Sequence, residues 1–342
     1  MHTLIQQDLE QLAQREQVLL QQLQNKTVFV TGATGLIGSQ IVFLFLILNR
    51  LYHLNINILA LVRNADKARA LFGQEHSQLQ FIQGDILQIP TITQPIDYII
   101  HGASVTSSLD FVTKPVDTIA VALQGTTSIL ELAKQKHIQS MVYLSSLEVY
   151  GVVNQKDIYE QDFGYIDFTN VRSSYSEGKR MAECLSISYA QQYQVPVKIA
   201  RLGQTFGAGV DYQDNRVFAQ FARAVIEKKN IVLHTTGETE RNYCYTSDAI
   251  SAILYILLKG ENAQAYNVAN EATMISIREM AELAASLDDT QTTKVVIDIQ
   301  DAQSLGYNPV VKIKLKTTKL EQLGWQATTD LKTMLSRLIA FM

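Results

Sequence analysis

The chain has 342 residues, 47% apolar and 18% charged. That is enough for about two domains with large cores and unlike a disordered polymer. Its 29 Lys and Arg against 33 Asp and Glu leave a net charge of −4, with no basic excess for gripping a nucleic-acid backbone. Two cysteines, Cys184 and Cys244, are too few for a zinc cluster; no metal site is expected and both are read as buried free thiols.

Residues 1–24 contain eight glutamines and neither glycine nor proline, and Ile5, Leu9, Leu12, Leu19 and Leu23 recur at helical spacing. This predicts an amphipathic helix that packs on its own subunit. No basic start leads into an apolar block, so a secretory signal is not expected. The most apolar run, Ile41–Leu48, falls far short of the ~20 residues needed to span a bilayer. A cytoplasmic protein without membrane contact is the expectation.

From Lys26 the pattern becomes strand, turn, helix. Thr27–Val30 reads as a strand, Gly32–Gly35 as a turn and Leu36–Leu48 as a helix. Further strands are predicted at Ile56–Val62, Leu79–Ile82, Tyr98–Ile100, Met141–Leu144 and Val197–Ala200, with helices at Val116–Lys136 and Ser176–Gln192. This alternation predicts an α/β fold with a doubly wound parallel Rossmann sheet. Past Arg201 the rhythm loosens, and a last helix is predicted at Leu331–Ile339. The predicted organisation is an N-terminal helix (1–24), a dinucleotide-binding Rossmann domain (25–200) and a smaller, mainly substrate-binding lobe (201–342).

Gly32, Gly35 and Gly38 follow the first strand and open the first helix of that domain. Glycines here allow a tight turn, close approach of backbone to a pyrophosphate and close helix packing. Thr34, Leu36 and Ile37 place their backbone at the helix N-terminus, which favours phosphate. Where NAD enzymes usually carry an acid at the end of the second strand, this chain reads Leu61-Val62-Arg63-Asn64. A guanidinium there can meet a 2′-phosphate, so Arg63 tilts an NAD(P) cofactor slightly towards NADP and leaves NAD open. Asp85 and Ile86 suit an adenine-edge contact after the third strand, and Gly102, Ala103 and Ser104 suit backbone close to the cofactor after the fourth.

Tyr175 and Lys179 stand four residues apart in Tyr175-Ser176-Glu177-Gly178-Lys179, hence on one helix face. An ammonium beside the phenol is expected to lower its pKa, making Tyr175 a general base or acid near neutrality; Lys179 can also hold a ribose. Ser146, at the carboxyl end of the strand before it, is placed to hydrogen-bond a substrate oxygen.

The segments TGATGLIG, HGAS, YLSSLEVYG and YSEGK, in this order, resemble the extended short-chain dehydrogenase/reductase family. The resemblance is greatest to its nucleotide-sugar epimerases, dehydratases and decarboxylases, and runs from about Lys26 to Trp325. It implies a catalytic set of Ser146, Tyr175 and Lys179, a cofactor held by Gly32, Gly35, Gly38, Asp85 and Lys179, and a nucleoside-diphosphate sugar as substrate. In Arg201–Gly207 it aligns Gln204 with the family's sugar-nucleotide asparagine. It places Arg216 and Arg241 where relatives grip the diphosphate, which suits bidentate anion recognition. Tyr266–Asn270 matches a further family segment.

Glu148 lies where dehydratases and decarboxylases carry a functional glutamate. The dehydratase aspartate before it is Leu147 here, and the decarboxylase arginine corresponds to Val311. The expectation is therefore a 4-epimerase working through a transient 4-keto sugar with Tyr175 as base and acid. Decarboxylase, dehydratase and NADPH-dependent keto-sugar reductase are the alternatives. A non-catalytic, cofactor-binding regulator is a distant one, since both Tyr175 and Lys179 are retained. The resemblance also implies a homodimer through the helices Val116–Lys136 and Tyr175–Gln192.

Overall fold

The computed structural model describes residues 1–299 and 310–342. Seven strands form the main sheet: β1 Thr27–Thr31, β2 Asn57–Val62, β3 Leu79–Gln83, β4 Tyr98–His101, β5 Ser140–Ser146, β6 Val197–Leu202 and β7 Ala265–Val268. They run in the order β7-β6-β5-β4-β1-β2-β3, and every pairing is parallel. Strands buried on both faces need near-continuous apolar runs, which is how β1, β2 and β4 read. The chain rises through β1 to β3 on one side, then restarts at β4 on the other. That reversal opens a crevice between the carboxyl ends of β1 and β4.

Two apolar layers enclose the sheet. On one face Leu44, Phe45 and Leu48 of the helix Leu36–Tyr52 pack with Ile253 and Leu257 of the helix Thr246–Lys259. On the other, Ile129, Leu130 and Ala133 pack with Ala182 and Ala190 of the helix Ser173–Tyr193. The expected helix Val116–Lys136 is present as three joined pieces, with a π turn at Val121–Gly125 between Pro115–Ala120 and Thr126–Lys136.

The N-terminal helix spans Thr3–Arg15, and short helical turns carry the chain on to Leu23. It packs on its own subunit: Ile5, Leu9 and Leu12 join the core under the helix Leu36–Tyr52. Its buried Asp8 accepts a hydrogen bond from Tyr245 at 2.5 Å and pairs with Arg337 at 2.6 Å.

A second, five-stranded sheet is built from Asn270–Ser276, Glu240–Tyr245, Lys312–Leu315 and Asp157–Ile158, with Gln204–Phe206 beside Glu240–Tyr245. Phe206, Phe218, Met280 and Leu335 fill the core behind it. Cys244 is buried there, but Cys184 is exposed; its place on the outer side of the helix Ser173–Tyr193 corrects the expectation that both thiols are buried. Among the described residues no helix is long and apolar enough to cross a membrane, and no group of three or more His, Cys, Asp or Glu is arranged to hold a metal.

Candidate active site

The crevice floor is made by two abutting turns. Gly32 has a φ of +68°, and a Cβ on it would lie 2.7 Å from the carbonyl of Gly102 and 2.9 Å from the nitrogen of Ala103. Only glycine allows both this backbone and this approach. Thr31 ties the turns together, accepting from the Ala103 nitrogen at 3.1 Å and bonding His101 Nδ1 at 2.8 Å. Burial holds the His101 imidazole down to about 3, so it is a neutral strut.

Gly35 precedes the helix Leu36–Tyr52, which has no side-chain cap. Its first N–H groups are therefore unclaimed by a capping side chain. Beside them opens a cleft of about 410 Å³ lined by Thr34, Gly35, Leu36, Ser39, Lys67 and Asp211, among others. Uncapped N–H donors, a hydroxyl and an ammonium form a donor set that fits a dinucleotide pyrophosphate. Arg63 is exposed at the end of β2. Asp85 sits at the end of β3 with its carboxylate accepting from the Leu87 nitrogen at 2.9 Å. The Ile86 side chain turns into the core, where it would meet a Cβ on Gly125 at 2.9 Å. Ser104 donates to the Val105 carbonyl. Lys67 and Ser39 are not singled out by the sequence; a lysine on the short helix Ala65–Phe72 after β2 reads as an ordinary surface residue until the fold is known.

Across the crevice, β5 ends at Ser146, whose Oγ accepts from the Glu148 nitrogen at 3.2 Å as a tight turn begins. The helix Ser173–Tyr193 brings Tyr175 and Lys179 beside it. Burial pushes the Tyr175 phenol up to about 12; a hydrogen bond with Ser146 and the charge of Arg216 oppose this, while Glu148 adds to it. The expectation that Lys179 lowers this phenol is corrected. Its Nζ donates to the Leu144 carbonyl at 2.8 Å, lies over the Tyr143 ring at 4.6 Å, and is 5.9 Å from the centre of the Tyr175 ring. Burial also drives Lys179 down to about 7, against the pull of Glu183. An ammonium that is itself desolvated and committed elsewhere cannot stabilise the phenolate strongly.

Glu148 accepts from Ser176 Oγ at 3.1 Å and Arg172 Nη1 at 3.3 Å, so its carboxylate is drawn to the start of the Tyr175 helix. Behind the site, Glu183 binds Arg201 at 2.6 Å and accepts from Ser145 at 2.5 Å, and Arg201 also donates to Tyr150 at 3.0 Å. This buried network fixes β5 and β6 against the helix Ser173–Tyr193.

Arg216 stands in the lobe with its charge reaching Tyr175. Gln204 lies opposite Tyr243 in the second sheet, and Arg241 stands two residues before Tyr243 on the same strand, with a register shift between them. Arg241 Nε is buried and has no hydrogen-bond partner among the described residues, an uncommon cost unless an anion meets it. Sequence reasoning missed Phe111, Arg172 and Asp214, which touch Tyr175, Glu148 and Arg216 respectively. Phe111 and Arg172 belong to no motif, and Asp214 opens the segment Asp214–Phe221, from which the sequence singles out only Arg216.

A doubly wound sheet whose glycine turn faces a Ser-Tyr-Lys set across the switch-point crevice defines a dinucleotide-dependent enzyme. The chain belongs to the NAD dependent epimerase/dehydratase family, whose model matches residues 28–269, and so to the extended short-chain dehydrogenases/reductases. UDP-glucuronic acid decarboxylase 6 of Arabidopsis thaliana is 28% identical over 315 residues, which cover 90% of this chain and 86% of that one. The dTDP-D-glucose 4,6-dehydratase of Bos taurus is 25% identical over 320 residues, 92% of this chain and 88% of that one. In fold, the chain is similar to the UDP-N-acetylglucosamine 4-epimerase of Methanobrevibacter ruminantium M1, solved with UDP-N-acetylmuramic acid. The TM-score is 0.78 at 19% identity, covering 93% of this chain and 98% of that one.

Proposed function

We propose that this enzyme is a nucleotide-sugar 4-epimerase. The observation that carries the reading is the chemistry of two side chains. Leu147 and Val311, which the family resemblance aligns with the dehydratase acid and the decarboxylase arginine, are both apolar; Leu147 belongs to a buried cluster with Val149, Tyr150 and Ile313, and Val311 packs against it. Neither can donate a proton or bind a carboxylate. What remains is the minimum set for oxidation and return at one carbon. Tyr175 Oη takes the proton of the sugar C4 hydroxyl and gives it back, Ser146 Oγ holds that oxygen, and Lys179 orients the ribose beside it. Bound in the Gly32–Gly38 cleft, a nicotinamide dinucleotide supplies hydride acceptance and return. Arg216 and Arg241 hold the diphosphate, and Gln204 lines the sugar side.

Arg63, with no acid at the end of β2, supports NADP over NAD. Exposed Val116 (75%) and Met181 (54%), on the two outer helices of one sheet face, support a homodimer through those helices. A second reading, decarboxylation, is favoured by the 28% identity to a UDP-glucuronic acid decarboxylase. Incubation with a panel of UDP-, dTDP-, CDP- and GDP-sugars, read by mass spectrometry and NMR, separates them. Unchanged mass with inverted C4 is the expected result, and loss of carbon dioxide from a uronic acid would overturn it.

A further inference from the structure

The helix Ser108–Thr113 follows β4 and passes over the carboxyl edge of the sheet, where Phe111 is its buried residue. The Phe111 ring stacks on the Tyr175 ring, with centroids 4.3 Å apart and planes 10° from parallel. A second tie fixes the same place: the carbonyl of Phe111 accepts a buried hydrogen bond from Ser174 Oγ at 2.9 Å, one residue before Tyr175. Main chain and ring together clamp this segment to the first turn of the catalytic helix. Phe111 is 3% exposed, so its outer side is covered as well, and the guanidinium of Arg172 lies 5.9 Å from its centroid.

We propose that Phe111 is a positioning residue for the reaction, a platform that holds the Tyr175 phenol against Ser146 and closes one face of it to water. The inference rests on the reading of Tyr175 as base and acid. A phenol with three rotatable positions around its helix gains a single orientation when one face is stacked, and offset-parallel aromatic pairs add attraction beyond their buried area. A covered face also removes water from the phenol, in line with its upward shift. The charges around it are Glu148, Arg216 and Lys179, with Arg172 paired to Glu148, Asp110 and Lys114 paired on the Phe111 side, and Glu177 paired to Arg180 on its own helix. None of these is removed by changing Phe111.

The test substitutes Phe111→Ala and, as the gentler change, Phe111→Leu, each also in a Tyr175→Phe background. Tyrosinate absorbance between pH 9 and 12.5, taken as the difference between each protein and its Tyr175→Phe partner, isolates one phenol among fifteen tyrosines. In Phe111→Ala, Tyr175 is expected to ionise at least about one pH unit lower than in the wild type, and Phe111→Leu to fall between. Turnover is expected to drop about tenfold or more through kcat, with KM for the nucleotide sugar changing less. Unmoved tyrosinate curves in folded Ala and Leu variants would overturn the proposal, as would a kcat equal to the wild type's. A lower kcat without a moved curve would also overturn it, since that is the mark of general loosening. The titration needs no substrate, so it decides this inference even if the sugar panel refutes the epimerase reading.

Discussion

Asp214 holds Arg216 by its own side chain. Nη2 meets Oδ2 at 2.5 Å and Nε meets Oδ1 at 3.0 Å, and the same Oδ1 accepts from the Arg216 nitrogen at 2.8 Å. A guanidinium already paired in two places must share or surrender that partner to grip a diphosphate. Asp214→Asn keeps the acceptor for the main-chain bond and removes the charge. Calorimetry with UDP is expected to show affinity raised by about three- to tenfold in Asp214→Asn and lowered by about tenfold or more in Arg216→Ala. Equal affinity in wild type and Asp214→Asn would remove Arg216 from the diphosphate site.

Lys179 makes stability depend on pH. Its folded pKa is lowered to about 7 from 10.5, so between those values the unfolded chain binds the extra proton. Stability contributed through this group therefore rises as pH increases from 7 towards 10 and is lowest below 7. Lys179→Met abolishes the dependence along with turnover. In urea unfolding at pH 7 and pH 9, wild type is expected to gain stability relative to Lys179→Met by about 1–2 kcal/mol. A pH-independent difference between the two proteins would show that the lysine is not held in its neutral form.

That prediction turns on something the sequence could not show. The Tyr175–Lys179 spacing fixes a shared helix face, because helical periodicity is local. Where the ammonium goes depends on Leu144 and Tyr143, which β5 presents from 35 residues away. The main sheet was readable because β1, β2, β4 and β5 are buried on both faces and must be written as apolar runs. β7 was not read as a strand, since Ala265–Val268 is short and has polar Asn267 at its centre, satisfied by Ile158 and Lys316 carbonyls of the second sheet. Phe111 escaped for a similar reason: one aromatic residue in a six-residue helix has no period, and its partner is 64 positions along the chain.

The N-terminal helix was legible as amphipathic from its leucines, yet its tightest anchor is polar. Asp8 bonds Tyr245 of the second sheet and Arg337 of the last helix, Leu331–Phe341. Removing one member of a buried ionic cluster leaves the others desolvated without compensation. Asp8→Ala is expected to lower unfolding free energy by about 2–4 kcal/mol, measured by denaturant titration. Asp8→Asn, which keeps the acceptor for Tyr245, is expected to lose less. A change below about 0.5 kcal/mol in Asp8→Ala would mean the helix is held by its apolar face alone.

The homodimer proposal depends on Val116 and Met181, each more than half exposed in the single chain. Charged substitutions there leave both side chains in water in a monomer but strand a carboxylate in an interface. Light scattering is expected to find a dimer for the wild type and a monomer for Val116→Glu/Met181→Glu. A monomeric wild type, or a double variant that still dimerises, would place the contact elsewhere.

Lys67 lines the cleft from the helix Ala65–Phe72, which Asn64 caps at 2.9 Å, and Arg63 is exposed between the end of β2 and that helix. Asp211 also lines the cleft and Asp66 is paired to Arg69, but the end of β2 carries a cation and no acid; it offers a charge-assisted bond to a 2′-phosphate, whereas a free 2′-hydroxyl asks for an acceptor there. Arg63→Ala is expected to weaken NADP binding by about tenfold while leaving NAD within about twofold, and adding Lys67→Ala to widen the gap. Arg63→Asp is expected to reverse the preference by supplying the acceptor. Titration of intrinsic fluorescence with each dinucleotide reads all three variants directly. If Arg63→Ala weakens both cofactors alike, the arginine stacks on the adenine that they share, and the 2′-phosphate has no part in its binding.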